Sequence, residues 1–454
     1  MKRLNLRGWR QDQILGRVMK NSSYLFASYV LGSVLTLLTA KLLGAADYGL
    51  LGNITVFSSS INRLFSFRMG EMVVKYMGEA VAQNDLKRAA AAVKLGMFAE
   101  ALTSLVAFGA LAALAPVGAV YFAHDATTQP LFLIFGLSIL ANLIYESSTG
   151  VLQVTNHYRS QALINFVQAV LVTVLIAAAA FWHAELTTVV WIYLLGKVIL
   201  GMGPALVALY WLPRTLGAGW WRTPLTALPS WKEVVRFSFS SNLFATVNLF
   251  ARDNEVPIVS FFFGTEAAGY FKMALALINL IVMPINPFIS TTFPEITRAF
   301  AVHQWQRLRS LLRRITLISG GWTLAVILGL WIGYPLIFQS WSFFGLPISF
   351  LTEYAPAYPA LMIMLVGYGA ANIFFWNRPL LLAQGEAGYP LRVSFWAMLV
   401  KVALTLVLLP RTNYLVEAVL LSAYLIVTVG LIVWRGMQGI RHAEILSPME
   451  SEPA

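Results

Sequence analysis

Apolar positions in this chain run in long uninterrupted blocks, with neither strand alternation nor a simple amphipathic stripe. A helix needs about 20 consecutive apolar residues to cross a bilayer. Blocks of that order lie at 21–43, 48–74, 91–115, 129–153, 160–181 and 187–212. A second set lies at 236–263, 268–294, 311–338, 356–383, 389–410 and 414–434. This pattern predicts an all-α membrane protein of about twelve transmembrane helices in two six-helix bundles, with both termini on one side.

The polar connections sort by charge. Alternate ones carry Lys87 and Arg88; Arg159; Arg214, Arg222 and Lys232; Arg298, Arg307 and Arg309; and Arg392, while Arg435 and Arg441 follow the last block. The opposite set, around Gly44–Asp47, Pro116–Gln129, Trp182–Leu186, Gly264–Ala267 and Gln339–Tyr354, contains no Lys or Arg. Arg411 is the exception. Basic connections stay in the cytoplasm, so both termini are expected there. Trp211, Trp220, Trp221, Trp231 and Trp434 near the inner ends, with Trp182 and Trp341 outside, resemble interfacial belts. The basic N-terminus with Arg3 and Arg7 mimics a signal peptide, but the apolar block after it is too long, which predicts an uncleaved first helix.

The blocks repeat. A shift of 220 residues places Gly44 on Gly264, Gly49 on Gly269 and Lys87 on Arg307. Each glycine pair marks a short outer turn where a residue without Cβ lets the chain reverse. Six helices per half is an even number, so the halves are parallel repeats, a transporter pattern with the substrate path between them. The expected organisation is an N-terminal bundle at 1–212, a cytoplasmic linker at 213–232 rich in Pro, Gly and Trp, a C-terminal bundle at 233–440, and a cytoplasmic tail at 441–454.

Composition narrows the class. A chain that is 58% hydrophobic and 11% charged is not an ordinary soluble enzyme. The net charge of +12 is accounted for by basic cytoplasmic connections, so no nucleic-acid partner is expected. Without cysteine there is no thiolate metal site, and His124, His157, His183, His303 and His442 lack metal-ligand spacing. There is no GxxxxGK[ST] phosphate loop and no long outer loop that would suit a membrane polymerase or ligase. No cofactor is expected.

The charges left inside the blocks then become the best evidence of chemistry. An Arg or Lys at the centre of a membrane helix costs roughly 2.5–3.5 kcal/mol, so it faces a wet cavity or a partner. Arg252, Asp253 and Glu255 sit in helix 7, with Arg252 about 24 Å from the inner end near Arg236. They form either a self-neutralising cluster or a cavity site, and Pro257 weakens the helix just beyond. Helix 2 offers Arg63, Arg68, Glu71 and Lys75 after the polar run Ser58–Ser60 and Asn62; Arg63 is the deep one, and Lys75 reads as a snorkelling anchor. Lys197, Arg378 and Lys401 are isolated cations for which pairing with Glu100 or Glu146 competes with substrate contact. The substrate-binding candidates are therefore Arg63, Arg68, Arg252, Lys197, Arg378 and Lys401. Asp253 and Glu100 are the ion-coupling candidates, because burial raises a carboxyl pKa. Lys272 reads as an anchor near the outer surface, and Pro204, Pro284, Pro287 and Pro335 as kinks. Arg307, Arg309, Arg313 and Arg314 read as a topology signal. A mostly cationic cavity suits an anion, and arginine suits a diphosphate through its bidentate fork.

The stretch AKLLGAADYGLLGNITVFSSSINRL, with Leu43, Gly44, Tyr48 and Gly49, resembles the first hairpin of the Wzx-like polysaccharide-unit flippases of the multidrug/oligosaccharidyl-lipid/polysaccharide exporter superfamily. DNEVPIVSFFFGTEAAGYFKMALALINLIVMPINPFISTTFPEITRAF, with Pro294 before a basic turn, is similar to that family's second-half hairpin. The resemblance is concentrated in residues 20–80 and 235–300. It implies a bacterial cytoplasmic-membrane transporter that moves polyprenyl-diphosphate-linked oligosaccharide outward by alternating access. Its partners would be that substrate, membrane lipids, and assembly proteins such as a polysaccharide polymerase. The alternatives are a teichuronic-acid or lipid II-type flippase, the latter resembling fourteen spans, and a small-molecule antiporter, for which cationic residues have the wrong sign.

Overall fold

A computed structural model describes residues 13–65, 69–228, 246–282, 286–343, 346–348, 351–386 and 388–446. The helices are α1 (Gln13–Phe65), α2 (Gly70–Ala82), α3 (Leu86–Val117), α4 (Gln129–Ala141), α5 (Tyr145–Val154), α6 (Tyr158–Phe181) and α7 (Leu186–Leu216). They continue as α8 (Glu255–Val282), α9 (Asn286–Ala301), α10 (Trp305–Phe338), α11 (Ala357–Ile373), α12 (Asn377–Ala383), α13 (Gly388–Leu408) and α14 (Tyr414–Leu446). The described chain is otherwise short helical turns, connections and one small antiparallel hairpin, β1 (Trp341–Phe343) with β2 (Leu346–Ile348), in a segment expected to be a plain connection. Two compact units emerge: Tyr24–Lys272, and Met273 onward joined by residues 13–23.

Ten described helices are long and apolar enough to cross a membrane. Two of them, Leu31–Phe65 and Thr246–Leu280, have 35 residues each. A straight helix of that length measures about 52 Å, against a hydrocarbon core of about 30 Å, so neither is a single straight span. Each is interrupted at one glycine, Gly44 (φ 71°, ψ 176°) and Gly264 (φ 86°, ψ 173°). Dividing both there recovers twelve segments from ten. The expected four-residue turns are thus compressed to single residues, and positive φ with ψ near 180° confines each to glycine.

The two breaks meet inside the first unit. A Cβ on Gly49 would lie 1.8 Å from the Thr265 carbonyl oxygen, and one on Gly269 would lie 1.9 Å from that of Ala45. Positions 45 and 49 and positions 265 and 269 are related by the same 220-residue shift, so the contact is reciprocal, as at a two-fold interface. Small residues permit this backbone approach, the usual basis of helix packing in lipid.

The reversals repeat as well. Asn84 (φ 57°) and His303 (φ 54°) occupy left-handed positions, and the following N–H groups bond back as Asp85 to Ala80 and Gln304 to Ala299, both 2.9 Å. Asn156 (φ 59°) and Gly385 (φ 78°) form a second such pair, closed by His157 to Leu152 at 2.7 Å and Glu386 to Leu381 at 2.9 Å. In each, one left-handed residue satisfies the helix's last carbonyls.

Spans expected to be continuous at 129–153 and 356–383 are broken, at Asn142–Ile144 and at Phe374–Trp376. An Ala-Asn pair stands at each: Asn142 opens the first break, and Ala371–Asn372 lies in the last turn before the second. A new helix starts at Gly70, with Met69 as its N-cap residue, so the block expected at 48–74 is also divided. α7 runs on to Leu216 and ends at Gly217 (φ 92°).

Candidate functional site

The second segment of α1 carries Ser58, Ser59, Asn62 and Arg63, spaced so that they share one helical face. In the Tyr24–Lys272 unit this face borders a polar cavity of about 300 Å³. Its other walls are Glu100 from α3, Ser138 and Asn142 at the end of α4, Tyr145 and Glu146 at the start of α5, and Lys197 from α7. The cavity brings together Arg63, Lys197 and Glu100. A mostly cationic cavity was expected; with Glu100 and Glu146 beside Arg63 and Lys197, its charged lining is evenly mixed.

Glu100 is 2% exposed, and its two carboxylate oxygens accept the N–H groups of Glu146 at 2.7 Å and Ser147 at 2.8 Å. These are first-turn donors of α5, unsatisfied by their own helix. The α4–α5 break therefore presents a helix N-terminus inside the membrane, and a carboxylate from α3 caps it. The partial positive charge there stabilises the anion. Gly70, Gly96 and Gly150 let α2 and α3 reach this point: a Cβ on Gly96 would lie 2.7 Å from Val73, and one on Gly150 2.9 Å from the Gly70 carbonyl.

Arg63 bonds Asp253 at 2.5 Å, and Arg252 approaches the other oxygen of Asp253 at 3.5 Å. All three side chains stay partly accessible, at 44%, 31% and 45%. Asp253 closes a widened helical turn, Leu249–Asp253, just before α8. Pro257 explains that turn, since its ring excludes the carbonyl four residues earlier, that of Asp253, and it has no N–H to donate. Asn254, beside it, accepts from Ser60 at 2.5 Å. Further along, Asn53 donates to Ser260 at 2.7 Å and to the Phe122 carbonyl at 2.8 Å, and Ser260 donates to the same carbonyl at 2.6 Å. These bonds join α1 to α8, while the side-chain oxygens of Ser58 and Asn62, on the face that lines the cavity, are buried without a hydrogen-bond partner among the described residues. Outside the spans, the Thr127 hydroxyl and N–H hold the Asp125 carboxyl below its usual pKa.

Other candidates lie elsewhere. Lys401 was expected to bind substrate or to pair with Glu100 or Glu146. It is instead 3% exposed and bonded to Glu417 on α14 at 2.6 Å, and Thr405 donates to the other Glu417 oxygen at 2.9 Å. That is a sealed internal pair, belonging to the second unit, and the substrate assignment is corrected accordingly. Arg378, also in the second unit, sits exposed at the start of α12. Arg68 lies outside the described residues. Lys272 is not an interfacial anchor: it donates to the Tyr48 carbonyl at 2.9 Å and lies 3.9 Å from the centre of the Tyr48 ring. A Cβ on Gly52 would come within 2.8 Å of its stem.

Sequence reasoning missed Glu417, Asn142 and Tyr145. Glu417 had a signal, as a carboxylate in the span that follows the one carrying Lys401. The Ala-Asn repeat was the signal for the other two.

A family model for polysaccharide biosynthesis proteins matches residues 18–300. No curated protein matches the chain by sequence. Among solved structures, an inward-facing multidrug resistance MATE family transporter of the MOP superfamily superposes with a TM-score of 0.72 at 15% identity, over 92% of this chain and 96% of that one. Lipid II flippase MurJ in an inward closed conformation gives 0.66 at 14% identity, over 94% and 90%. A MOP superfamily transporter from Pyrococcus furiosus, described as having a binding pocket of reverse polarity, gives 0.61 at 12%, over 95% and 96%. These similarities establish the fold, an arrangement of about twelve membrane helices. With the family model covering more than half of its length, the chain belongs to the polysaccharide biosynthesis protein family.

Proposed function

We propose that this protein flips a polyprenyl-diphosphate-linked oligosaccharide from the cytoplasmic to the outer leaflet of a bacterial cytoplasmic membrane, as a step in polysaccharide assembly. The observation that carries the proposal is the polar cavity in which Arg63 and Lys197 share a wall with hydroxyls, amides and carboxylates. The two cations suit the diphosphate, with the Arg63 fork able to grip two phosphate oxygens. Ser58, Asn62, Asn142, Tyr145 and Glu146 suit sugar hydroxyls, which both donate and accept. The polyprenyl tail stays in lipid, because the cavity's polar lining offers it nothing.

Asp253 holds Arg63 in the absence of substrate, and a phosphate is a competing partner of the same sign. Exchange of one anion for the other keeps the guanidinium paired throughout, so loading avoids the cost of a bare charge in the membrane. Returning Arg63 to Asp253 then favours release. The bundle boundary near 213–232, cytoplasmic termini and a polymerase partner belong to the same proposal.

Genetic complementation of a strain lacking its flippase tests it. Arg63→Ala and Lys197→Ala should each abolish surface glycan at normal membrane abundance, and Arg63→Lys should restore only part of it. Full export by both alanine variants would remove the cavity from the mechanism.

A further inference from the structure

The second unit holds a separate cavity of different character. One stripe of α13, Arg392, Trp396, Val400 and Leu404, faces one stripe of α14 that includes Leu431 and Arg435, across a groove of about 800 Å³. Spacings of three and four residues keep each stripe on a single helical face. The groove is apolar along its length and cationic at one end. Lys401 contributes its stem to the wall, but its ammonium is turned away to Glu417.

Charge at the polar end can be counted. Arg435 forks onto Glu386 with bonds of 2.8 and 2.7 Å, which leaves that pair neutral. Among the described residues no carboxylate pairs with Arg392, which is exposed. Two arginines and one glutamate leave a formal charge of +1 at the rim. From Arg392 to Leu404 is twelve residues, about 18 Å of helix. That length matches roughly one leaflet of a core about 30 Å thick.

We propose that this groove is a binding site for one anionic phospholipid of the bilayer, with its phosphodiester at Arg392 and an acyl chain lying along Trp396, Val400 and Leu404. A rim of +1 neutralises one phosphodiester, whereas a polyprenyl diphosphate brings about two charges and a chain far longer than one leaflet. Basic pockets between membrane helices recognise lipid headgroups on these terms. The site is independent of the flipping reaction, since none of its residues borders the polar cavity of the first unit.

Native mass spectrometry of the full chain tests the site. The detergent-purified protein is exchanged into micelles containing equal phosphatidylglycerol and phosphatidylcholine. The wild type should retain one phosphatidylglycerol in preference to phosphatidylcholine. Arg392→Gln should weaken retention about tenfold, the scale of one charge-assisted hydrogen bond. Val400→Trp, which fills the groove without touching the rim, should also remove the lipid, and covers the case in which the arginine variant fails to fold. Equal retention of both lipids, undiminished binding by a folded Arg392→Gln, or displacement of phosphatidylglycerol by equimolar polyprenyl phosphate would each overturn the proposal; the last would assign the groove to the substrate's tail.

Discussion

Arg63 and Asp253 come from positions 190 residues apart and meet as a partly accessible pair. Accessible pairs contribute little to stability, typically below about 1 kcal/mol, so this one is well suited to open and close. If phosphate replaces Asp253 on Arg63, Asp253→Asn should tighten substrate binding and slow turnover, a split visible in proteoliposome kinetics; loss of both would mean that Asp253 touches substrate itself. Lys401 and Glu417 make the opposite case, at 3% and 0% exposure. Glu417→Ala strands a buried ammonium and should cost about 3–5 kcal/mol. The double change Lys401→Met, Glu417→Leu should recover most of that in thermal unfolding while leaving transport intact. A transport loss in the stable double variant would return Lys401 to the mechanism. At this scale the sequence located the charges but not their partners. A cation in an apolar run announces that it needs an anion, yet which helix supplies it depends on packing between distant segments. Glu417 illustrates this, since only its burial beside Lys401 distinguishes it from a first-turn glutamate.

Elements carry the cavity through their interruptions. The α4–α5 break aims a helix N-terminus at Glu100, which satisfies two donors that lipid cannot. Glu100→Gln loses one acceptor and the charge, and should destabilise by about 1–2 kcal/mol, comparable to the loss of an N-cap. Glu100→Ala should cost more; thermal unfolding in detergent measures both. Equal melting of all three proteins would deny the capping role. Hydropathy hid the break, because residues 142–144 continue an apolar block and an apolar run does not register where a helix is cut; the Ala-Asn repeat was its one mark in the sequence. The Gly44 and Gly264 turns were legible, since two glycine pairs recur at one spacing. Their close contact yields a sharp expectation: Gly49→Ala and Gly269→Ala put a methyl within 1.9 Å of backbone and should abolish folded yield. Gly109→Ala, with nothing within 4 Å of the added carbon, should express normally.

Over the whole molecule, block lengths foretold the fold. Twelve segments follow from apolar runs whose length the bilayer dictates. The distribution of arginines adds an orientation: reporter tags after Arg222, Arg309 and Arg441 should be cytoplasmic and one at Ser342 outside, and a cytoplasmic signal at Ser342 would mean the second half is threaded otherwise. Energetics also belong to this scale. The sequence has no nucleotide-binding loop, and moving one negative charge outward across an interior-negative membrane gains about 2.3 kcal/mol per 100 mV. A diphosphate with about two such charges gains on the order of 4–5 kcal/mol if no ion moves with it. The most direct test is a reconstitution of the pure protein in liposomes with a labelled polyprenyl-diphosphate oligosaccharide placed in the inner leaflet. Its appearance in the outer leaflet should exceed that in protein-free liposomes, rise with an interior-negative potential without ATP, and vanish with Arg63→Ala. Labelled lipid that stays inside at the protein-free rate, at every potential, would contradict the account.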